Sequence, residues 1–170
     1  MTEASSRTLV RSPRPPLSVS PRTWMRWVQE VDEAWVRALP IPKEQYGRHV
    51  VRDDDEAEII ACTWTRGEGT PLHGHGSSQG VTYVVEGTLL EERFIPFGAG
   101  AGFKHEVRRI EAGAWAHHPL GLYHRVYGAT KARSIQCTVP PLEDPLAPVP
   151  ADVWPRLDAA RTRTMLQESL

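Results

Sequence analysis

Cysteine is scarce in this 170-residue chain: Cys62 and Cys137 are the only two. The dense disulfide framework that holds small secreted domains is therefore excluded, although a single bridge stays open. Both cysteines sit in apolar, strand-like runs, so the expected state is two buried free thiols in a reducing cytoplasm. Apolar runs are short as well. None approaches the roughly 18 residues of a membrane span, and the N-terminus lacks the apolar stretch of a secretory signal. Formal net charge is −1, so no excess of one sign points to nucleic acid or to an anionic membrane surface. A glycine-rich phosphate loop and a Ser–His–Asp pattern are missing too. These absences leave a cytoplasmic protein that works on small molecules, as a monomer or small homo-oligomer.

What is present suits one domain with end decorations. Residues 1–19 hold Pro13, Pro15, Pro16 and several Ser and Arg, the composition of a flexible arm. Residues 20–170 then form the single domain. Residues 20–39 read as one amphipathic helix, with Ser20 as cap, Pro21 in the first turn, and Trp24, Trp27, Val28, Val31, Trp35 and Leu39 at helical spacing. That stripe is expected to pack on the rest of the domain. From Tyr46 onward the pattern turns β, with strands at Glu58–Trp64, 81–85, 89–97, 105–110, 114–117, 124–127 and 134–139. Glu91, Glu92 and Arg93 within the third of these read as solvated. Residues 98–102 read as a flexible turn. Five prolines between 140 and 150 stiffen the exit, and a short last helix is expected to begin near Asp152, carrying Trp154, Leu157, Met165 and Leu166. Turn signals about every ten residues predict an all-β sandwich or barrel rather than alternating α/β.

Two spaced patterns stand out. Gly67, His73-Gly74-His75, Gly80 and Gly87 form the first, and Gly113, Pro119-Leu120-Gly121 and His124 the second. Alternate side chains of an extended strand face one way, so His73 and His75 point together with only Gly74 between them. His124 follows on a later strand that a barrel can bring opposite. Three neutral imidazoles suit iron, copper, nickel or zinc. The other four histidines, His49, His105, His117 and His118, lack such context and read as exposed or structural. Together the two patterns resemble the signature motifs of a cupin, an antiparallel β-barrel of jelly-roll type with a metal bound inside. The resemblance implies that fold here, with an N-terminal and a short C-terminal helix flanking it. Cupins normally place a metal-binding glutamate where this chain has Gly80, so the expected ligand set is three histidines without a carboxylate.

A three-histidine site leaves a dipositive charge uncompensated, which favours an anionic ligand such as a thiolate. Further segments sharpen the resemblance. Tyr46-Gly47-Arg48-His49-Val50-Val51, His73-x-His75, Gly121-Leu122-Tyr123-His124-Arg125-Val126 and Ser134-Ile135 before Pro140-Pro141 are similar to the cysteine dioxygenase family, in order, across about residues 40–143. Members are iron(II) enzymes that convert a thiol and O₂ into a sulfinic acid. The resemblance implies Fe(II) on His73, His75 and His124, and a substrate carboxylate on Arg48 near Tyr46. A guanidinium fork suits that task, since it donates two parallel hydrogen bonds.

Departures from the family pattern fall around the substrate. Gly80 rules out the cysteine–tyrosine crosslink that some members carry. The family's Ser-x-His-x-Tyr relay becomes Ser134-x-Gln136-x-Thr138, in which glutamine cannot titrate near neutrality and threonine reaches less far. Tyr123 stands as an insertion before His124. The expected function is thus a non-haem iron thiol dioxygenase acting on a small thiol such as cysteine, with O₂ as the second reactant. A three-histidine dioxygenase on a non-thiol substrate, or a non-catalytic metal- or ligand-binding cupin, are the alternatives.

Overall fold

A computed structural model describes residues 19–98, 102–144 and 146–168. The expected arm therefore lies outside the described residues apart from Val19, as do residues 99–101 of the expected turn. Nine strands follow two short helices: α1 (Pro21–Gln29), α2 (Glu33–Ala38), β1 (Tyr46–Asp53), β2 (Glu58–Trp64), β3 (His73–Gly74), β4 (Gln79–Glu86), β5 (Thr88–Phe97), β6 (Gly102–Glu111), β7 (Trp115–His118), β8 (Tyr123–Gly128), β9 (Ala132–Val139), then α3 (Trp154–Glu168). The strands form two antiparallel sheets, ordered β1-β2-β9-β4-β7 and β3-β8-β5-β6. This is the all-β jelly-roll barrel with flanking helices that the motifs imply. Among the described residues, no helix is long and apolar enough to cross a membrane.

Strand alternation builds two separate cores from the same strands. Ile59 and Ala61 of β2 and Ile135, Cys137 and Val139 of β9 face the helices, where they pack with Trp24, Val28, Val31, Val36 and Leu39. Their neighbours Ile60, Cys62 and Trp64 face inward and meet Leu89, Ile110 and Val126 from the other sheet inside the barrel. A third cluster, Phe94 and Phe103 with Val153, Leu157 and Ala160, seats α3 on the outside of the smaller sheet. Gly87 makes the turn between β4 and β5 with φ +78°, and a Cβ there would lie 2.2 Å from the Lys131 carbonyl. Only glycine satisfies both demands.

Several expectations need correction. Residues 20–39 form two helices, not one. Ser20 does cap the first, accepting from Thr23 N–H at 3.4 Å, but Asp32 accepts from Ala34 N–H at 2.9 Å and restarts the chain as a second cap. A short carboxylate that bonds nearby backbone competes with a continuing helix. The break shifts the helical phase, so Val36 is buried and Trp35 is exposed. The last helix is longer than expected, at 15 residues. It buries Leu157 but exposes Trp154 and Met165; the side chain of Leu166 lies outside the described residues.

Glu91 and Glu92 are not solvated. Strand β5 lies between β6 and β8, so both its edges are paired, while its faces turn to the barrel interior and to α3. Glu91 is 0% exposed inside the barrel, while Glu92, on the outer face, holds Arg161 of α3 at 2.9 Å and Arg125 at 2.6 Å. Arg93 is largely buried, beside Glu106 at 3.3 Å. Leu157→Ala should lower stability by about 2–5 kcal/mol, the usual cost of a large-to-small core change. Trp35→Ala should stay within about 0.5 kcal/mol. Urea unfolding of both variants checks this; equal losses would contradict the phase shift after Asp32.

Candidate metal centre and its cavity

Short strands bring the three motif histidines together. His73 on β3 and His124 on β8 are direct register partners, and His75, one residue beyond β3, bonds through its N–H to the Leu122 carbonyl at 3.2 Å. The ring centroids stand 4.7 Å apart for His73–His124, 4.6 Å for His75–His124 and 5.5 Å for His73–His75. One nitrogen from each ring lies within 4.8 Å of the others. All three rings are buried.

Burial, then the neighbouring imidazoles, depress the proton affinity of His73 and His75. His73 is pushed down to about 4 and His75 to about 2. Near neutrality both rings are uncharged and offer lone pairs. Outer contacts orient two of them. His73 Nδ1–H donates to the Pro71 carbonyl at 2.9 Å, and His124 Nδ1–H donates to Glu91 Oε1 at 2.7 Å. Each such bond fixes the tautomer and leaves Nε2 free.

The residues fit a metal ion by the spacing of their nitrogens. His75 Nε2 and His124 Nε2 face each other at 2.9 Å, close to the spacing of about 3 Å between adjacent ligands that each stand about 2.1 Å from an ion. A proton shared between the facing nitrogens satisfies only that contact, and a cation there uses the lone pairs directly.

Sequence reasoning missed two members of this cluster. Glu91 abuts His124 and is itself held by Arg108 Nε at 2.6 Å. Burial raises its pKa, but the bonds and charges of His124 and Arg108 outweigh that and hold the carboxyl below its usual value. His118, expected to be exposed or structural, is 1% exposed. Its ring lies edge-on to those of His75 and His124 at 5.1 and 4.8 Å, and its Nε2 is 3.7 Å from Glu91 Oε1. Glu91, His118 and His124 form a second grouping with metal-ligand spacing. The expectation of a site without a carboxylate therefore holds at position 80 but not for the surroundings. A Cβ on Gly80 would lie 2.1 Å from the Cys137 carbonyl, so the backbone has no room for a side chain there. Counting alternate residues inward from apolar Leu89 would have found Glu91.

A small cavity, partly open to solvent, adjoins His73, His124, His118 and Glu91. Tyr46, Arg48, Glu58 and Gln136 line its other walls, and Leu142 and Leu146 of the proline-rich exit segment fold against it. Arg48 Nη2 bonds Glu58 Oε1. Tyr46 stacks on Trp64 with 5.2 Å between ring centroids. Of the three relay positions on β9, Gln136 lines the cavity, Ser134 Oγ accepts from Trp64 Nε1–H at 3.0 Å, and Thr138 is buried with an unmatched hydroxyl. Tyr123 points away from the cavity and packs on Phe103 at 5.7 Å. Cys62 and Cys137 are free and buried, each pushed up to about 12 chiefly by burial.

His49 is half-buried and His117 exposed. His105, buried, bonds Glu92 at 3.0 Å.

Two outcomes follow. Glu91→Gln should weaken metal binding by about 10–100-fold, as loss of an outer carboxylate generally does; chelator competition measures it, and unchanged affinity would remove Glu91 from this role. The metal-free protein should lose stability as pH falls from about 6.5 toward 4, because the unfolded chain takes up protons there that folded His73 and His75 refuse. A urea midpoint that stays flat across that window would contradict the burial of neutral rings.

No protein-family model matches the chain. A conserved protein with a double-stranded β-helix domain from Klebsiella pneumoniae aligns with a TM-score of 0.54 and 16% identity over 69% of this chain and 89% of the other. A cupin superfamily protein from Desulfitobacterium hafniense gives 0.51 and 12%, over 61% and 85%, and a Thermus thermophilus protein gives 0.54 and 20%, over 66% and 98%. At such identities the likeness speaks for architecture alone: this chain has the cupin fold, with residues that could hold a metal ion inside its barrel.

Proposed function

We propose that the protein is a non-haem iron(II) thiol dioxygenase that converts a small thiol, such as cysteine, and O₂ into a sulfinic acid. The observation that carries this reading is the clustering of three buried imidazoles, two of which line a cavity that Arg48 and Tyr46 line as well. His73, His75 and His124 would hold the ion. Bound iron(II) supplies the Lewis acidity and one-electron chemistry that dioxygen needs to react with a thiol. The side chains of this protein do the positioning. Arg48 receives the substrate carboxylate, Tyr46 stacks on Trp64 and closes the wall beside it, and Leu142 and Leu146 limit water. Holding both reactants in one small, largely apolar space contributes by proximity and orientation.

Gln136 stands on the cavity wall where the family relay has histidine, so it offers an amide that donates and accepts without changing charge. Ser134 is committed to Trp64, and Thr138 is too short to reach far inward. The same observation favours a second reading, in which the barrel binds a metal and a small ligand without turnover. A three-histidine dioxygenase cleaving a carbon–carbon bond is a third reading.

Labelled O₂ separates all three. Iron-loaded protein supplied with cysteine should consume O₂ and yield a sulfinate carrying both labelled atoms. Consumption without labelled sulfinate favours carbon cleavage, and no consumption with any thiol favours the binding module. Arg48→Ala should raise KM for carboxylate-bearing thiols by about tenfold or more while leaving cysteamine within about threefold. Equal losses for both would take Arg48 out of substrate binding.

A further inference from the structure

The cavity wall carries a charged pair of which the proposed chemistry uses only Arg48. Glu58 extends inward from β2, its side chain only 6% exposed, and bonds Arg48 from β1. Each partner keeps one buried atom unmatched, Nε on Arg48 and Oε2 on Glu58. Buried polar atoms without partners are uncommon in folded proteins, and a pair of residues carrying them on a cavity wall calls for a ligand with complementary atoms. Here the unmatched set comprises a cationic donor and an anionic acceptor.

We infer that Glu58 makes this cavity select ligands that carry both an ammonium and a carboxylate over ligands that carry a carboxylate alone. The inference rests on the proposed placement of a ligand carboxylate on Arg48 and extends it to a second residue. Arg48 is already neutralised by Glu58 through Nη2 alone, and its Nε stays unmatched. A simple carboxylate on that free edge places a second buried anion beside Glu58 with one cation between them, which is costly. A zwitterion brings its own cation instead. Its carboxylate takes the free edge of Arg48, and its ammonium takes the unmatched Oε2 of Glu58, so every charge in the wall is paired. Selection then comes from the penalty on the wrong ligand as much as from contacts to the right one. Glu58 is a specificity-determining residue on this account, with no part in the bond-making steps.

Anaerobic calorimetric titration of the iron(II)-loaded protein tests this with L-cysteine and 3-mercaptopropionate, which differ only by the ammonium group. L-alanine and propionate form a matching pair without sulfur. Wild-type protein should bind the zwitterion of each pair about tenfold tighter or more, the scale of one hydrogen bond to a buried charge. Glu58→Gln should bring both ratios near one, and Glu58→Asp should retain the preference. A ratio unchanged in Glu58→Gln, or wild-type protein preferring 3-mercaptopropionate, overturns the inference. The wild-type ranking alone can do so if neither variant folds. Failure of the thiol dioxygenase reading looks different: no O₂ uptake with any thiol, while the alanine-over-propionate ranking and its loss in Glu58→Gln persist.

Discussion

One very short strand decides how the candidate metal ligands meet in this barrel. Strand β3 contributes two residues, and its register with β8 sets His73 opposite His124 while His75 meets the same ring from its Nε2 side at 2.9 Å. Desolvation keeps His73 and His75 neutral, with lone pairs to offer an ion. Around that contact the fold alternates charge outward: a cation-ready imidazole pair, then the Glu91 carboxylate on His124, then the Arg108 guanidinium on Glu91. Each step satisfies the one inside it, so a buried glutamate persists without an exposed face. Its negative charge also offsets part of the charge that a three-histidine site would otherwise leave bare.

The rest of the cavity is organised around a second pair, Arg48 and Glu58, with Ile60, Leu89, Ile110 and Val126 among the apolar side chains of the same lining. One group of residues could thus hold an ion and another presents paired charges to the cavity, while the apolar lining disfavours any ligand that brings unpaired polarity. Strand alternation makes this possible. The same β2 and β9 that turn Ile59, Ala61, Ile135 and Cys137 toward the helices turn Glu58, Ile60 and Gln136 inward.

Much of this was legible in the chain before any coordinates. β2 has the expected bounds because its apolar run ends sharply at charged and glycine-rich segments. That His73, His75 and His124 cluster followed from the spacing of glycines and histidines, which constrains strand, turn and strand together. Ser20 signalled its helix because cap chemistry is local. What was hidden depends on contacts distant in sequence. Asp32 broke the helix inside an uninterrupted apolar stripe, and that stripe alone does not reveal a competing side-chain bond. Glu91 and Glu92 looked solvated as neighbours in a charged triplet, and became buried because β6, β8 and α3 supply Arg108, Arg125 and Arg161. His118 lay one residue past the expected end of its strand and so was not placed beside His75. The Arg48–Glu58 pair joins residues ten apart on adjacent strands, a contact that alternation permits but does not require.

The most direct test is X-ray absorption of the iron(II)-loaded protein, beside the His75→Ala variant. The account predicts three imidazole nitrogens at about 2.1 Å from the ion, reduced to two in His75→Ala, with no protein carboxylate in the coordination sphere of either. An ion bound by Glu91 and His118, and unchanged when His75 is removed, would contradict it.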